Sequence, residues 1–116
     1  MSANKDTVDR YMEGFRRGDR PMILACLTED VVWDMPGIYH HVGKEAFEKE
    51  IQNEAFVGLP EITILRVVEE HDVVVAEGAV RAEKKTGGYL EAVFCDVFVM
   101  KGGLVQHLTS YLMEVR

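Results

Sequence analysis

The sequence predicts an α+β fold, with helices first and one long antiparallel sheet after them. Three observations carry this. Helical periodicity is confined to the first half of the chain. Four long apolar runs fill the second half, and only short Gly-rich or charged turns separate them. Short turns between long strands mean an antiparallel meander, because parallel neighbours need a crossover of a dozen or so residues.

The elements follow in order. Val8, Tyr11, Met12 and Phe15 recur at helical spacing, so Lys5 to Arg17 forms an amphipathic helix. Arg16 and Arg17 suit the negative end of its dipole, and Gly18 stops it. Asp19 caps a second, short helix with Pro21 in its first turn; Met22, Ile23, Cys26 and Leu27 supply its buried side. A first strand, Asp30 to Met35, ends at Pro36-Gly37, and Tyr39 to Val42 pairs with it. A third helix, Lys44 to Asn53, turns Phe47 and Ile51 inwards, and Gly58-Leu59-Pro60 is a break. The meander strands are Glu61–Glu70, Val73–Glu83, Tyr89–Met100 and Leu104–Met113.

Composition limits the partners. A chain of 116 residues is one domain, and 47 % hydrophobic residues suffice for a core without disulfides or metal. Thirteen basic against 20 acidic residues leave a net charge of −7. No basic stripe is present, which argues against nucleic acid and anionic membranes. No stretch approaches the ~18 apolar residues of a membrane span. The first residues lack the apolar core of a signal peptide, and Cys26 and Cys95 read as free buried thiols. A cytoplasmic location is the expectation.

The strand from Tyr89 to Met100 is the most informative. Alternation puts Leu90, Ala92, Phe94, Asp96, Phe98 and Met100 on one face. One carboxylate therefore sits between two phenylalanines. Either it serves a cavity or it is hydrogen-bonded for structural reasons. The opposite face, Tyr89, Glu91, Val93, Cys95, Val97 and Val99, is also largely apolar. Something must cover it, and a twofold dimer through this convex sheet face is the simplest arrangement.

Several motifs then fall in a familiar order. They are Tyr11 seven residues before Gly18-Asp19, the strand Glu29-Asp30-Val31-Val32-Trp33, Pro36-Gly37, and Gly43-Lys44-Glu45-Ala46-Phe47. Asp96-Val97-Phe98 and Gly102-Gly103-Leu104-Val105 complete the series. Over residues 5 to 114 the chain resembles the nuclear transport factor 2-like superfamily, in its SnoaL-like and ketosteroid isomerase-like branch. The resemblance implies a strongly curved sheet wrapped round three helices as a cone, with an apolar pocket between them. It is weak for activity, since this fold hosts isomerases, cyclases, dehydratases, epoxide hydrolases and binding modules.

Ketosteroid isomerases of this branch stabilise an oxyanion with a helix tyrosine and a protonated aspartic acid, while an ionised aspartate moves the proton. By the resemblance, Tyr11 and Asp96 match the first two positions. The third falls on Met35 in an ungapped alignment, and Asp34 reaches it only through a bulge, because one residue flips the face.

The candidate catalytic residues are therefore Asp96, Tyr11, His107 and Asp34. Burial of Asp96 would keep it protonated and make it a donor to an enolate oxygen. His107 is an alternative base if its strand face is concave. Trp33 and Met35 share a face opposite Asp34. Trp33, Met35, Phe94, Phe98, Tyr111, Tyr39 and His40 are candidate substrate contacts; His40 and His41 face opposite ways, so one alone can enter.

Among the histidines, no pair has the helical spacing of a zinc motif, so no metal is expected. Arg81 lacks the partner aspartates of the epoxide-hydrolase branch. The expected function is cofactor-free proton transfer on a small apolar carbonyl compound, as isomerase, cyclase or dehydratase. A non-catalytic dimeric ligand-binding or assembly module is the alternative.

Overall fold

The computed structural model describes residues 2–51 and 56–115. It contains α1 (Ala3–Arg17), α2 (Arg20–Leu24), β1 (Leu27–Met35), β2 (Tyr39–Val42), α3 (Lys44–Ile51), β3 (Phe56–Glu70), β4 (Val73–Lys84), β5 (Tyr89–Lys101) and β6 (Leu104–Glu114). The expected last residues of α3, Gln52 and Asn53, lie outside the described residues. No described helix is long and apolar enough to cross a membrane.

The helix ends follow local chemistry. Ser2 Oγ accepts from the Lys5 amide at 3.1 Å and caps α1, which therefore begins at Ala3, two residues before the expected Lys5. Gly18 closes it in the left-handed conformation, φ 63°. Asp19 caps α2 through the Met22 amide. The two helices pack closely: a Cβ on Gly14 would lie 2.6 Å from Ile23 Cγ1.

One six-stranded, curved, unclosed sheet runs in the order β2-β1-β6-β5-β4-β3. Strands β3 to β6 form the expected antiparallel meander. Strand β1 joins it in parallel beside β6, so the sheet is mixed and not purely antiparallel. The Gly58-Leu59-Pro60 break is instead part of β3, where the ladder to β4 skips between Val57 and Glu61. Proline is tolerated there because a bulge leaves its position without a ladder hydrogen bond to make.

Curvature comes from such irregularities. The β3–β4 register shifts again between Ile64 and Arg66. Gly78 stands opposite this shift, and a Cβ there would meet the Thr63 carbonyl and come within 2.8 Å of Phe94 Cζ. The missing side chain leaves room for the Phe94 ring against the β4 backbone at the bend. On β6 the ladder passes from Val99↔His107 to Met100↔Val105, leaving Gln106 as the extra residue.

The helices fill the concave side. Tyr11 packs edge-on against Phe98 at 5.3 Å, and Phe47 stacks on Trp33 at 4.3 Å. Val8, Ile23, Leu27, Val31, Phe47, Phe98 and Leu108 are buried. Thr7 Oγ1 donates to the Gly103 carbonyl at 2.6 Å, tying α1 to the β5–β6 turn.

Candidate functional site

Alternation on β5 holds as read from the sequence: Ala92, Phe94, Asp96, Phe98 and Met100 are all buried on the concave face. A cavity of about 400 Å³ opens beside Asp96 between α1, α3 and the sheet. Its size falls within the range of small-molecule sites. Tyr11, Trp33, Met35, Tyr39, Phe94 and Asp96 line it, with an apolar floor of Ile62, Val80, Leu90 and Leu112.

Asp96 is 9 % exposed. Burial pushes its pKa up to about 7, against a smaller downward pull from its hydrogen bond to Ser110. Ser110 stands directly opposite Asp96 in the β5–β6 ladder. Its oxygen accepts from Trp33 Nε1 at 3.0 Å. With its oxygen accepting from the indole, Ser110 has its own proton to give to the Asp96 carboxyl group, in keeping with the downward pull it exerts there.

Tyr11 is 3 % exposed. Burial raises its pKa well above the usual phenol value, and the nearby Asp96 charge adds to this. Tyr39 is shifted upwards too, by burial first and then by Glu50 and Asp96. Both phenols are neutral donors at ordinary pH. Two phenols and one carboxyl group that ionises with difficulty therefore share one apolar space.

The remaining sequence candidates are distributed differently. Trp33 and Met35 reach the cavity, and Asp34, between them, points to the other face. There Asp34 Oδ2 meets His107 Nε2 at 2.8 Å, and Asp34 Oδ1 bonds His40 Nδ1. The His40 contact, opposed by partial burial and helped by His107, holds the Asp34 carboxyl below its usual range. Asp34, His40 and His107 form one cluster outside the cavity. His107 faces outwards because the Gln106 bulge breaks alternation: Val105 and Leu108 are both buried, although they lie three residues apart.

Tyr111 also lies on the outer face, 53 % exposed. Phe98 is fully buried beneath Tyr11 and does not line the cavity. Arg81 sits outside as well, paired with Glu61 at 3.4 Å and Glu91 at 3.7 Å, with its guanidinium over the Tyr89 ring. On the same outer face Glu77 pairs with Arg66 at 3.3 Å. Cys26 is buried, Cys95 is half-buried, and both are free.

Two polar lining residues, Ser110 and Glu50, were not singled out from the sequence. Ser110 is the ladder partner of Asp96. Glu50 lies one turn after Phe47, on the inward side of α3, and lines the cavity. Its Oε1 meets His41 Nε2 at 2.9 Å, and the His41 ring stacks on Tyr39 at 4.4 Å. The i, i+3 spacing from Phe47 was the available signal.

The comparisons with known proteins agree with this architecture. No curated protein sequence matches the chain. An NTF2-like protein of unknown function from Burkholderia pseudomallei superposes with a TM-score of 0.90 at 22 % identity, covering 97 % of this chain and 92 % of that one. A protein from Xanthomonas campestris pv. campestris, assigned as a polyketide cyclase, gives 0.85 at 25 % identity, covering 94 % and 89 %. An epoxide hydrolase from M. tuberculosis gives 0.85 at 18 % identity, covering 96 % and 83 %, a likeness of fold alone. The family model of the SnoaL-like domain matches residues 8–108, and the chain belongs to that family within the NTF2-like superfamily.

Proposed function

We propose that the protein binds a small apolar carbonyl compound in this cavity and catalyses proton transfer on it without a cofactor, as an isomerase, cyclase or dehydratase of the ketosteroid isomerase-like kind. The observation that carries the reading is Asp96: a carboxyl group held at a pKa of about 7 by burial, on the wall of an apolar cavity that Tyr11 shares. A neutral acid and a phenol both donate hydrogen bonds. Donors in a water-poor space stabilise a developing oxyanion more than they stabilise the carbonyl it came from. The apolar floor supplies affinity, and the few polar groups fix which end of the ligand enters.

A fluorescent 2-naphthol tests this, because its naphtholate resembles an enolate. Titration into the wild type should quench or shift the emission saturably. Asp96→Ala and Tyr11→Phe should each weaken binding about tenfold or more, the usual cost of losing a hydrogen bond to a charged group. Affinity unchanged in both variants would remove the oxyanion site.

The outer sheet face supports a statement about assembly. Ile38, Leu65, Val93, Tyr111 and Met113 are exposed there and border one shallow depression. We propose that a second copy of the chain covers them, which is also the non-catalytic role open to the domain. Light scattering on a micromolar sample should return twice the chain mass, and a strict monomer would contradict it.

A further inference from the structure

The cavity beside Asp96 favours one sign of charge. Among the described residues lining it, the acids are Asp96 on β5 and Glu50 on α3, and no Lys, Arg or His joins them. Glu50 is already engaged: its Oε1 meets His41 Nε2 at 2.9 Å. The phenols Tyr11 from α1 and Tyr39 from β2 are neutral, held above the usual phenol range by burial first. Strand β1 contributes Trp33, β4 contributes Val80 and Ala82, and β6 contributes Ser110, none of which titrates. An anion entering this space meets carboxyl groups and finds no cation among these residues. A low local dielectric magnifies that penalty. The chain as a whole, at a net charge of −7, repels an anion too.

A cation suits the same space. The hydrogen bond from Ser110 favours the ionised form of Asp96, and Trp33 Nε1 holds the serine oxygen at 3.0 Å. A stabiliser of the carboxylate is therefore fixed in place before any ligand arrives. Tyr11, Phe15, Trp33 and Tyr39 give the cavity an aromatic lining, and their π-electrons and phenol oxygens attract positive charge. Burying a lone ammonium is costly. A paired carboxylate that keeps its own hydrogen bond is the compensation such a charge requires.

We infer that the cavity also takes small apolar amines as their ammonium ions, the N–H groups donating to an ionised Asp96 while the hydrocarbon part lies on the floor of Ile62, Val80, Leu90 and Leu112. This shares the cavity with the function proposed above but not its reaction. Asp96 then serves two ligand classes in its two forms. Neutral, it donates to a carbonyl or phenolate oxygen; ionised, it accepts from an ammonium. The proton balance follows. Below about pH 7 the acid is protonated before binding, so docking of the ammonium releases that proton to the buffer. Above it no proton changes hands, because an alkylammonium stays charged to about pH 10. Amine affinity therefore rises with pH where the affinity for an oxyanion mimic falls.

The test uses three bicyclic probes of similar size: 2-aminotetralin as the cation, 2-naphthol as the oxyanion mimic and 2-naphthoate as the anion. Calorimetric titration follows each, in two buffers of different ionisation enthalpy so that released protons are counted. The wild type should bind 2-aminotetralin in competition with 2-naphthol. Its amine affinity should gain roughly tenfold or more between pH 5.5 and pH 8, with about half a proton or more released per ligand at pH 6.5. Binding of 2-naphthoate at pH 8 should be weaker than that of the amine by roughly tenfold or more. Asp96→Asn keeps a donor and loses the charge. It should cost the amine roughly tenfold more than it costs naphthol, and it should abolish the proton release. Naphthol bound without the amine would overturn the inference. So would naphthoate binding as tightly as the amine, an amine affinity that is flat with pH, or equal losses of both ligands in Asp96→Asn. Binding of none of the three by the wild type would instead overturn the cavity as a ligand site, and with it the function proposed above.

Discussion

The Trp33 indole N–H donates to Ser110 Oγ at 3.0 Å, and Ser110 in turn bonds the Asp96 carboxyl group across the β5–β6 ladder. A first-strand tryptophan thereby sets the direction of a hydroxyl that partly stabilises the ionised form of a buried acid. The serine bond favours the ionised form and works against burial, which favours the neutral one. Ser110→Ala should therefore push the Asp96 pKa above its present value of about 7. The pH dependence of 2-naphthol binding would show this as a shift of its midpoint to higher pH. A shift to lower pH would mean that Ser110 accepts from the acid and does not donate to it.

The same raised pKa links stability to pH. The acid is neutral in the fold until about pH 7, whereas the unfolded chain ionises it near 3.8. Its unfavourable contribution is absent below the unfolded value, grows as pH rises, and levels off above the folded value. Raising the pKa from 3.8 to about 7 costs ~4 kcal/mol in all, and ~2–3 kcal/mol of that is lost between pH 5 and pH 8. Asp96→Asn should flatten that fall, and urea unfolding at the two pH values measures it. An equally steep fall in the variant would place the titrating group elsewhere.

Asp34 has the opposite sign. Its depressed pKa means that its bonds to His40 and, less strongly, to His107 favour the fold above the unfolded carboxyl pKa, and that this is lost as pH falls through the lower, folded value. Asp34→Asn and His107→Gln should leave 2-naphthol affinity within twofold, because both side chains lie outside the cavity. A tenfold loss in either, with the fold intact by circular dichroism, would mean that β1 or β6 turns over in solution.

Gly78→Ala probes the bend. The added methyl would press on the Thr63 carbonyl and the Phe94 ring, so β3 or the ring must move. Overpacking of this kind costs ~1–3 kcal/mol. The variant should melt several degrees lower and bind naphthol more weakly, since Phe94 lines the cavity. Unchanged melting would mean that the bend does not depend on the missing side chain.

These residues also mark how far the sequence could be read. Periodicity placed every element to within a few residues, except that β1 and β3 run further towards the N-terminus. It set the inward face of β5 correctly, because that ladder is regular from Val73↔Val99 to Glu83↔Tyr89. The direction of Asp34 followed from plain alternation with Trp33. The direction of His107 did not, because one extra residue at Gln106 reverses the phase and no glycine or proline marks it. Glu50 was hidden for another reason. A glutamate near a helix end reads as a solvated residue until the packing of β2 against α3 brings His41 to it. The parallel pairing of β1 with β6 lay beyond local pattern too, since it joins the two halves of the chain.

The central claim is that Asp96 is an acid in an apolar cavity that stays protonated until close to neutral pH. Carbon-13 NMR of the aspartate carboxyl groups, titrated from pH 3 to pH 9, reads it directly. One aspartate should titrate close to pH 7, and that signal should vanish in Asp96→Asn. A set in which every aspartate titrates near the ordinary value of about 3.9 or below would contradict the account.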